Sequence, residues 1–263
     1  MIPEIYVEEW RNAFGWQTLA QIEQDLIISR ALVDLYNNDH VRNALVFRGG
    51  TALNKLFLKP ASRYSEDLDF VQKNTDPIGK TLDAIRETLK PWLGNPKWKI
   101  TRRGAKLIYK YEAINKLPSK LKLEINTTEH FQVLPLCTEK FEIASEWFSG
   151  AAEVVPYETD ELMATKLRAL YQRRKGRDLF DLWYVASQNL IDLDRVINIF
   201  TQYCANDGVI ITREAFIENL ELKKHHQDFK LDMDFLLPQS RDWHYDNDDG
   251  YQFVLDNIIS KIP

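Results

Sequence analysis

A chain of 263 residues, 44% of them hydrophobic, is long enough for one large domain or two modest ones and can fill a core. Its two cysteines, Cys137 and Cys204, lie in separate segments without metal-type spacing, which argues against a disulfide framework or a zinc site and fits a reducing compartment. The net charge of −5 argues against a nucleic-acid partner as a sum, but the charge is unevenly spread: Lys97 to Lys122 holds nine Lys or Arg against one acid, and Leu162 to Arg177 holds six against none. An acidic body with two basic stretches can focus a positive field on a phosphate-bearing ligand, although each run taken alone also reads as a solvated face.

In chain order, Met1 to Glu9 has neither the positive start nor the apolar core of a secretory signal, and no later run approaches a membrane span. The expectation is a cytoplasmic protein with no membrane partner. Gln17 to Asn38 has apolar residues near helical spacing and predicts a long amphipathic helix. Ala44 to Phe47 predicts a buried strand, broken at Gly49-Gly50, after which Thr51 can cap a helix starting at Ala52. Pro77 to Leu93 predicts a further helix. Trp98 to Arg103, Lys106 to Ala113 and Leu121 to Thr127 alternate as strands of a half-solvated sheet, with loops at Gly104 and Pro118-Ser119.

The β character ends around Gly150 to Pro156, so the expected division is residues 1–155 and a helical 156–263. Helices are predicted over Thr159 to Lys175, Arg177 to Gln188, Asp194 to Cys204, Thr212 to Leu220 and Tyr251 to Ile262, with Leu162, Met163, Leu167 and Leu170 as core candidates. Asp246 to Gly250 imitates the start of a calcium loop but has no glutamate at the twelfth position, and reads as a polar loop. His225-His226 reads as a surface pair, because adjacent side chains diverge on a helix.

Two stretches carry chemistry. In Tyr64 to Phe70, Asp67 and Asp69 flank one apolar residue, so on a strand both point to one face while Leu68 and Phe70 take the other. Carboxylates roughly 6.5 to 7 Å apart along a strand suit one or two hard divalent cations, which prefer oxygen ligands and often share them with phosphate. Glu124 lies on one face of its predicted strand with Lys122 and Asn126, and joins the aspartates if that strand lies beside theirs; otherwise it is a solvent-facing glutamate.

The second stretch is Thr165 to Asp181. Lys166 and Arg173 are seven apart, two helical turns, and a predicted helix reaching Lys175 sets both along one side, where a phosphate chain could be gripped. Asp178 and Asp181 share a face of the next helix, and either can fix the lysine or an arginine by a charge-assisted hydrogen bond. Asp178 also reads as an N-cap and Asp181 as a first-turn acid.

These residues resemble the AbiEii/AbiGii-type nucleotidyltransferases, toxin components of bacterial toxin–antitoxin and abortive-infection systems. The resemblance rests on Gly49, Gly50, Thr51, Arg63, Ser65, Asp67 and Asp69, then on Thr165, Lys166, Ala169, Leu170, Arg177, Asp178 and Asp181, and spans most of residues 45 to 185. It implies an α+β fold with a polymerase β-like nucleotidyltransferase core, a mixed sheet, an N-terminal helix and a helical C-terminal domain closing the cleft.

The resemblance further implies that Asp67, Asp69 and Glu124 bind Mg²⁺, with Mn²⁺ as the alternative, and that Asp67, Asp69, Lys166 and Asp181 are catalytic. The nucleotide would lie against Gly49, Gly50, Thr51, Ser65, Lys166, Arg173 and Asp178. Gly50-Thr51 stands where Gly-Ser is frequent, so the phosphate contact passes to the turn N–H groups or the Thr51 hydroxyl. The implied partners are a nucleoside triphosphate, an RNA acceptor with the 3′ end of tRNA first, the basic Lys97 to Lys122 region as its backbone track, and a cognate antitoxin protein. Transfer to a protein hydroxyl, a non-catalytic nucleotide or RNA binding module, and a metal-dependent nuclease are the competing readings. The glycine turn and basic helix suit a triphosphate better than a cleaved strand.

Overall fold

The computed structural model describes residues 2–12 and 15–263. The chain divides into two compact units, one of Met1–His130 with Leu136–Tyr157, the other of Phe131–Pro135 with Glu158–Pro263.

The first unit contains α1 (Glu4–Arg11), α2 (Leu19–Tyr36), α3 (Asp39–Ala44), β1 (Leu45–Arg48) and α4 (Gly49–Ala52), which continues as a π-helical turn over Leu53–Phe57. Then come β2 (Asp67–Gln72), α5 (Gly79–Leu93), β3 (Lys97–Thr101), β4 (Gly104–Glu112), β5 (Pro118–Asn126), β6 (Glu139–Ala144) and β7 (Ser149–Val154). Five strands form one sheet in the order β1-β2-β5-β4-β3, with β2 and β5 parallel and every other neighbour antiparallel. One face of the sheet is apolar. Leu68, Phe70, Leu107, Tyr109, Leu121, Leu123 and Ile125 are all buried there, as strand alternation requires.

Helix α2 begins in a capping box, Thr18 accepting from the Gln21 N–H while the Gln21 side chain accepts from the Thr18 N–H. It is not the amphipathic surface helix its spacing suggests: Glu23, Gln24, Asp25 and Ser29 on its polar side are buried too. Each of these groups has partners, as burial demands. Asp25 Oδ2 accepts from Lys55 Nζ at 2.7 Å and from Trp10 Nε1 at 2.9 Å. Gln24 Nε2 donates to the carbonyls of Glu66 at 3.1 Å and Lys120 at 2.9 Å, stapling the entry points of the two parallel strands.

Several elements depart from expectation. Pro118 and Ser119 open β5 rather than forming a loop, and Glu112↔Pro118 closes its pairing with β4. The β6–β7 hairpin is absent from the sequence reading, because Gly150, Ala151 and Ala152 dilute the alternation on β7. Thr51 is not a helix cap: α4 starts two residues earlier, at Gly49, and Thr51 is buried within it.

The second unit is helical, with α6 (Thr159–Gln172), α7 (Gly176–Ser187), α8 (Leu193–Asn206), α9 (Arg213–Lys224), α10 (Gln227–Lys230) and α11 (Asn247–Asn257). Leu162, Met163, Leu167 and Leu170 of α6 are buried in its core. Glu161, fully buried, accepts from the N–H groups of Val133 at 2.8 Å and Leu134 at 2.9 Å and from the Tyr203 hydroxyl at 2.7 Å. Those bonds bind the 131–135 segment to this unit. Asp246 is a helix cap rather than part of a polar loop, its side chain accepting from the N–H groups of Asp248 and Asp249. His225 and His226 follow the end of α9, and both are exposed.

Candidate active site

The open face of the sheet carries the charge. Parallel pairing of β2 with β5 sets Asp67 against Lys122 and Asp69 against Glu124, so the condition for Glu124 to join the aspartates is met by the register. Antiparallel pairing of β1 with β2 adds Arg48 opposite Asp69. Arg48 Nη1 donates to Glu129 Oε2 at 2.8 Å, and Asn126 Nδ2 reaches the same oxygen at 3.1 Å.

The glycine turn lies against the Asp69 carboxylate. Gly49 has φ +80°, a left-handed conformation that a Cβ disfavours, and a Cβ built there would lie 2.6 Å from Asp69 Oδ2. At Gly50 the same construction meets Arg63 Nη2 at 2.2 Å and Ser65 Oγ at 3.1 Å. Both glycines are thus required by close approach, the first to Asp69 and the second to the buried Arg63. Asn54, which sequence reasoning passed over, fixes the far side of the turn: its Nδ2 donates to the Gly50 carbonyl at 3.0 Å, while its Oδ1 accepts from the N–H groups of Ser62 at 2.9 Å and Arg63 at 3.1 Å. The i to i+4 spacing of Gly50 and Asn54 was the available signal. The Thr51 hydroxyl donates to the Asp67 carbonyl, so its proton ties α4 to the start of β2.

Lys122 is the second residue sequence reasoning left unassigned. Its Nζ bridges Asp67 Oδ2 at 2.6 Å and Glu124 Oε1 at 2.9 Å, and Lys106 Nζ reaches Glu124 Oε1 at 3.1 Å. Burial pulls the Lys122 ammonium toward lower pKa, but its hydrogen bonds to the two carboxylates outweigh that and hold it well above the usual lysine range. Burial likewise raises Glu124, and the Lys122 and Lys106 charges together bring it below the ordinary glutamate value.

The helical unit holds its own constellation. Lys166 Nζ lies 2.6 Å from Asp181 Oδ2 and 3.2 Å from Asp178 Oδ1, so both aspartates fix the lysine rather than one. Arg173 is not on the same helix face, because α6 ends at Gln172 and Arg173 is its extended C-cap. It nevertheless joins the cluster as a fork, Nε to Asp178 Oδ2 at 2.7 Å and Nη2 to Asp178 Oδ1 at 2.9 Å. Asp178 lies in the first turn of α7, whose N-cap is Lys175, so its carboxylate serves the two cations instead of capping. Burial raises the Asp178 carboxyl, yet the Lys166 charge and the Arg173 fork overcome it and hold it down at about 2.

A family model described as the nucleotidyl transferase AbiEii toxin of type IV toxin–antitoxin systems matches residues 30–252. The chain belongs to the AbiEii nucleotidyltransferase toxin family. Among solved structures, the nucleotidyltransferase toxin MenT4 of Mycobacterium tuberculosis H37Rv is 16% identical with a TM-score of 0.57, covering 99% of both chains. An antigenic nucleotidyltransferase-like protein from Paracoccidioides brasiliensis matches at 16% identity and a TM-score of 0.36, over 62% of this chain and 73% of that one. No curated protein matches the sequence at a significant level. The α+β nucleotidyltransferase architecture expected from the motifs is therefore the fold of this AbiEii family member. No helix among the described residues is long and apolar enough to cross a membrane.

Nucleotidyltransferases generally act on a nucleoside triphosphate with a divalent metal. Among the described residues no group of three or more His, Cys, Asp or Glu closes on one point. That is compatible with a hard ion such as Mg²⁺, which is usually held by one or two carboxylates together with water and substrate phosphate rather than by a complete protein cage. The donor set fits. Asp67 and Glu124 already share a cation, the Lys122 ammonium, through oxygen atoms of the kind such an ion prefers.

Proposed function

We propose that this AbiEii toxin transfers a nucleotide from a nucleoside triphosphate to an RNA acceptor in a Mg²⁺-dependent reaction in the cytoplasm, with the 3′ end of tRNA as the first candidate acceptor and a cognate antitoxin as its protein partner. The observation that carries the reading is the alignment of Asp67, Asp69 and Glu124 on one open sheet face beside the Gly49-Gly50 turn. Asp67, Asp69 and Glu124 would hold the metal, one or two of them at a time, with water and substrate phosphate completing its shell; when bound, it supplies positive charge to the triphosphate oxygens, and Mn²⁺ suits the same ligands.

The protein groups divide the remaining work. Backbone N–H groups of residues 49–51, at the start of α4, would meet an incoming phosphate. Ser65, beside Gly50, adds a hydroxyl at the same turn. A carboxylate of the site accepts the proton of the acceptor hydroxyl as that oxygen attacks the α-phosphorus, and pyrophosphate leaves with the bonding electron pair. From the helical unit, Lys166 would contact triphosphate oxygens, with Asp181 and Asp178 orienting it and Arg173 adding a second cation.

The RNA acceptor is favoured by the rest of the open face. Strand register places Lys110 directly opposite Lys120, and Lys99 opposite Lys106. Like charges set across a strand pair oppose folding unless an anion lies against them. Lys97, Lys99, Lys110 and Lys120 are exposed and make no ion pair among the described residues, so this lysine field is open to a phosphate backbone running toward the carboxylates.

The test is incubation of the purified protein with Mg²⁺, each labelled nucleoside triphosphate and total RNA, comparing wild type with Asp69→Asn. The reading requires labelled RNA and pyrophosphate from the wild type and neither from a folded Asp69→Asn. Full transfer by that variant removes the site assignment, and label on protein instead of RNA removes the acceptor.

A further inference from the structure

The first unit and the helical unit each contain a lysine held between two carboxylates, and the two clamps differ in burial. Lys166 and its partners Asp178 and Asp181 have side chains 6%, 0% and 0% exposed, whereas Lys122, Asp67 and Glu124 are 26%, 30% and 32% exposed. Breaking a buried pair strands a desolvated charge and is strongly opposed; water takes over both partners of a part-exposed pair at little loss. Lys166 therefore keeps its two carboxylate partners, and Lys122 is the one that can exchange them.

The place of Lys122 follows from the register. It pairs with Asp67 across β2–β5, and Glu124 is two residues further on the same face, so its ammonium must fall between two carboxylates that otherwise repel one another. A divalent ion held by Asp67 and Glu124 competes with Nζ for the same two carboxylates, and at that range it repels the ammonium.

We propose that Lys122 is the exchangeable counter-ion of the metal site: its ammonium holds Asp67 and Glu124 together in the metal-free protein, is displaced when a divalent ion binds, and then pairs with phosphate oxygens of the nucleotide. This inference rests on the assignment of the metal to Asp67, Asp69 and Glu124 made above. Its consequence is coupling. Metal entry frees a cation for the triphosphate, so the two ligands strengthen one another's binding by equal factors.

The test measures Mn²⁺ binding to the full chain by the loss of the free-ion electron paramagnetic resonance signal, with and without a non-reacting methylene analogue of ATP. Lys122→Met should bind Mn²⁺ about tenfold more tightly than wild type, having no ammonium to displace. In the same variant the strengthening of analogue binding by Mn²⁺ should fall severalfold, while Lys122→Arg retains it. Lys122→Gln serves as the second neutral variant if Lys122→Met does not fold. Unchanged or weaker Mn²⁺ binding in a folded neutral variant overturns the proposal. Asp69→Asn separates the two levels: if it weakens Mn²⁺ binding, the metal assignment holds whatever Lys122 does, and if it does not, the metal assignment and this proposal fall together.

Discussion

Asp69 and Glu124 are direct register partners across the parallel β2–β5 pair, although 55 positions separate them in the chain. Glu124 also accepts from two lysines, so its carboxylate could serve the ion-pair network alone or the reaction as well. The two roles separate in Glu124→Gln. The side chain is about one-third exposed, so loss of its charge should change stability by no more than about 1 kcal/mol. If the carboxylate takes part in the reaction, pyrophosphate release should fall by about a hundredfold or more. Urea denaturation and pyrophosphate release on one preparation decide it: a folded variant with wild-type turnover would restrict Glu124 to the network.

Gly50 offers a steric test of the turn. Its φ is not in the left-handed region, so alanine there meets no backbone penalty, only the Arg63 guanidinium 2.2 Å from the new methyl. Arg63 is 1% exposed, so its guanidinium can yield only into packed surroundings. Gly50→Ala should therefore lower unfolding free energy by about 1–3 kcal/mol, the ordinary range for overpacking. Activity should fall further than stability explains, because Ser65 and the turn N–H groups shift with Arg63. A variant as stable as wild type would mean that Arg63 yields easily and that the turn is not fixed from below.

Much of the site could be read from spacing, and the unread part depended on partners distant in the chain. The shared face of Asp67 and Asp69 is a local consequence of strand alternation. Glu124 could be assigned to a face but not to a neighbour, since only the register of β2 on β5 sets it beside Asp69. Lys122 shares the face of Glu124 by the same alternation, yet nothing local says that it reaches Asp67. Arg173 shows the opposite case: the helical spacing was wrong because α6 stops at Gln172, and the arginine still reaches Asp178 from the following turn. The β6–β7 hairpin was hidden because its small residues carry little strand preference, and its inward Phe141, Ile143, Ala152 and Val154 make sense only in the pair.

The buried cluster of the helical unit predicts an acid dependence. Burial raises the Asp178 carboxyl, but Lys166 and Arg173 hold it at about 2 against an ordinary 3.8. As the folded value lies below the unfolded one, the unfolded chain takes up the proton first when pH falls. The resulting stabilisation is complete above about pH 4 and is lost as pH drops through about 2, with a size of order 2 kcal/mol. Asp178→Asn should be less stable than wild type at neutral pH, since Lys166 and Arg173 lose a charged partner, but its stability should fall less steeply between about pH 4 and 2. Denaturant midpoints across that window measure it; equal slopes would assign the acid sensitivity to other carboxylates.

The lysine field makes the acceptor question quantitative. Lys110 and Lys120 face each other on β4 and β5, outside the Lys106, Lys122 and Glu124 network, so reversing their charge leaves those ion pairs in place. If a phosphate backbone crosses this face, Lys110→Glu with Lys120→Glu should weaken single-stranded RNA binding by about tenfold or more at low salt. It should also reduce the steepness of log K against log salt by roughly 1.4, because two phosphate contacts at about 0.7 each no longer release counterions. Fluorescence anisotropy of a labelled oligoribonucleotide over a salt series gives both quantities. A loss of affinity with an unchanged slope would point to disturbed structure rather than lost phosphate contacts, and an unchanged affinity would place the acceptor elsewhere on the protein.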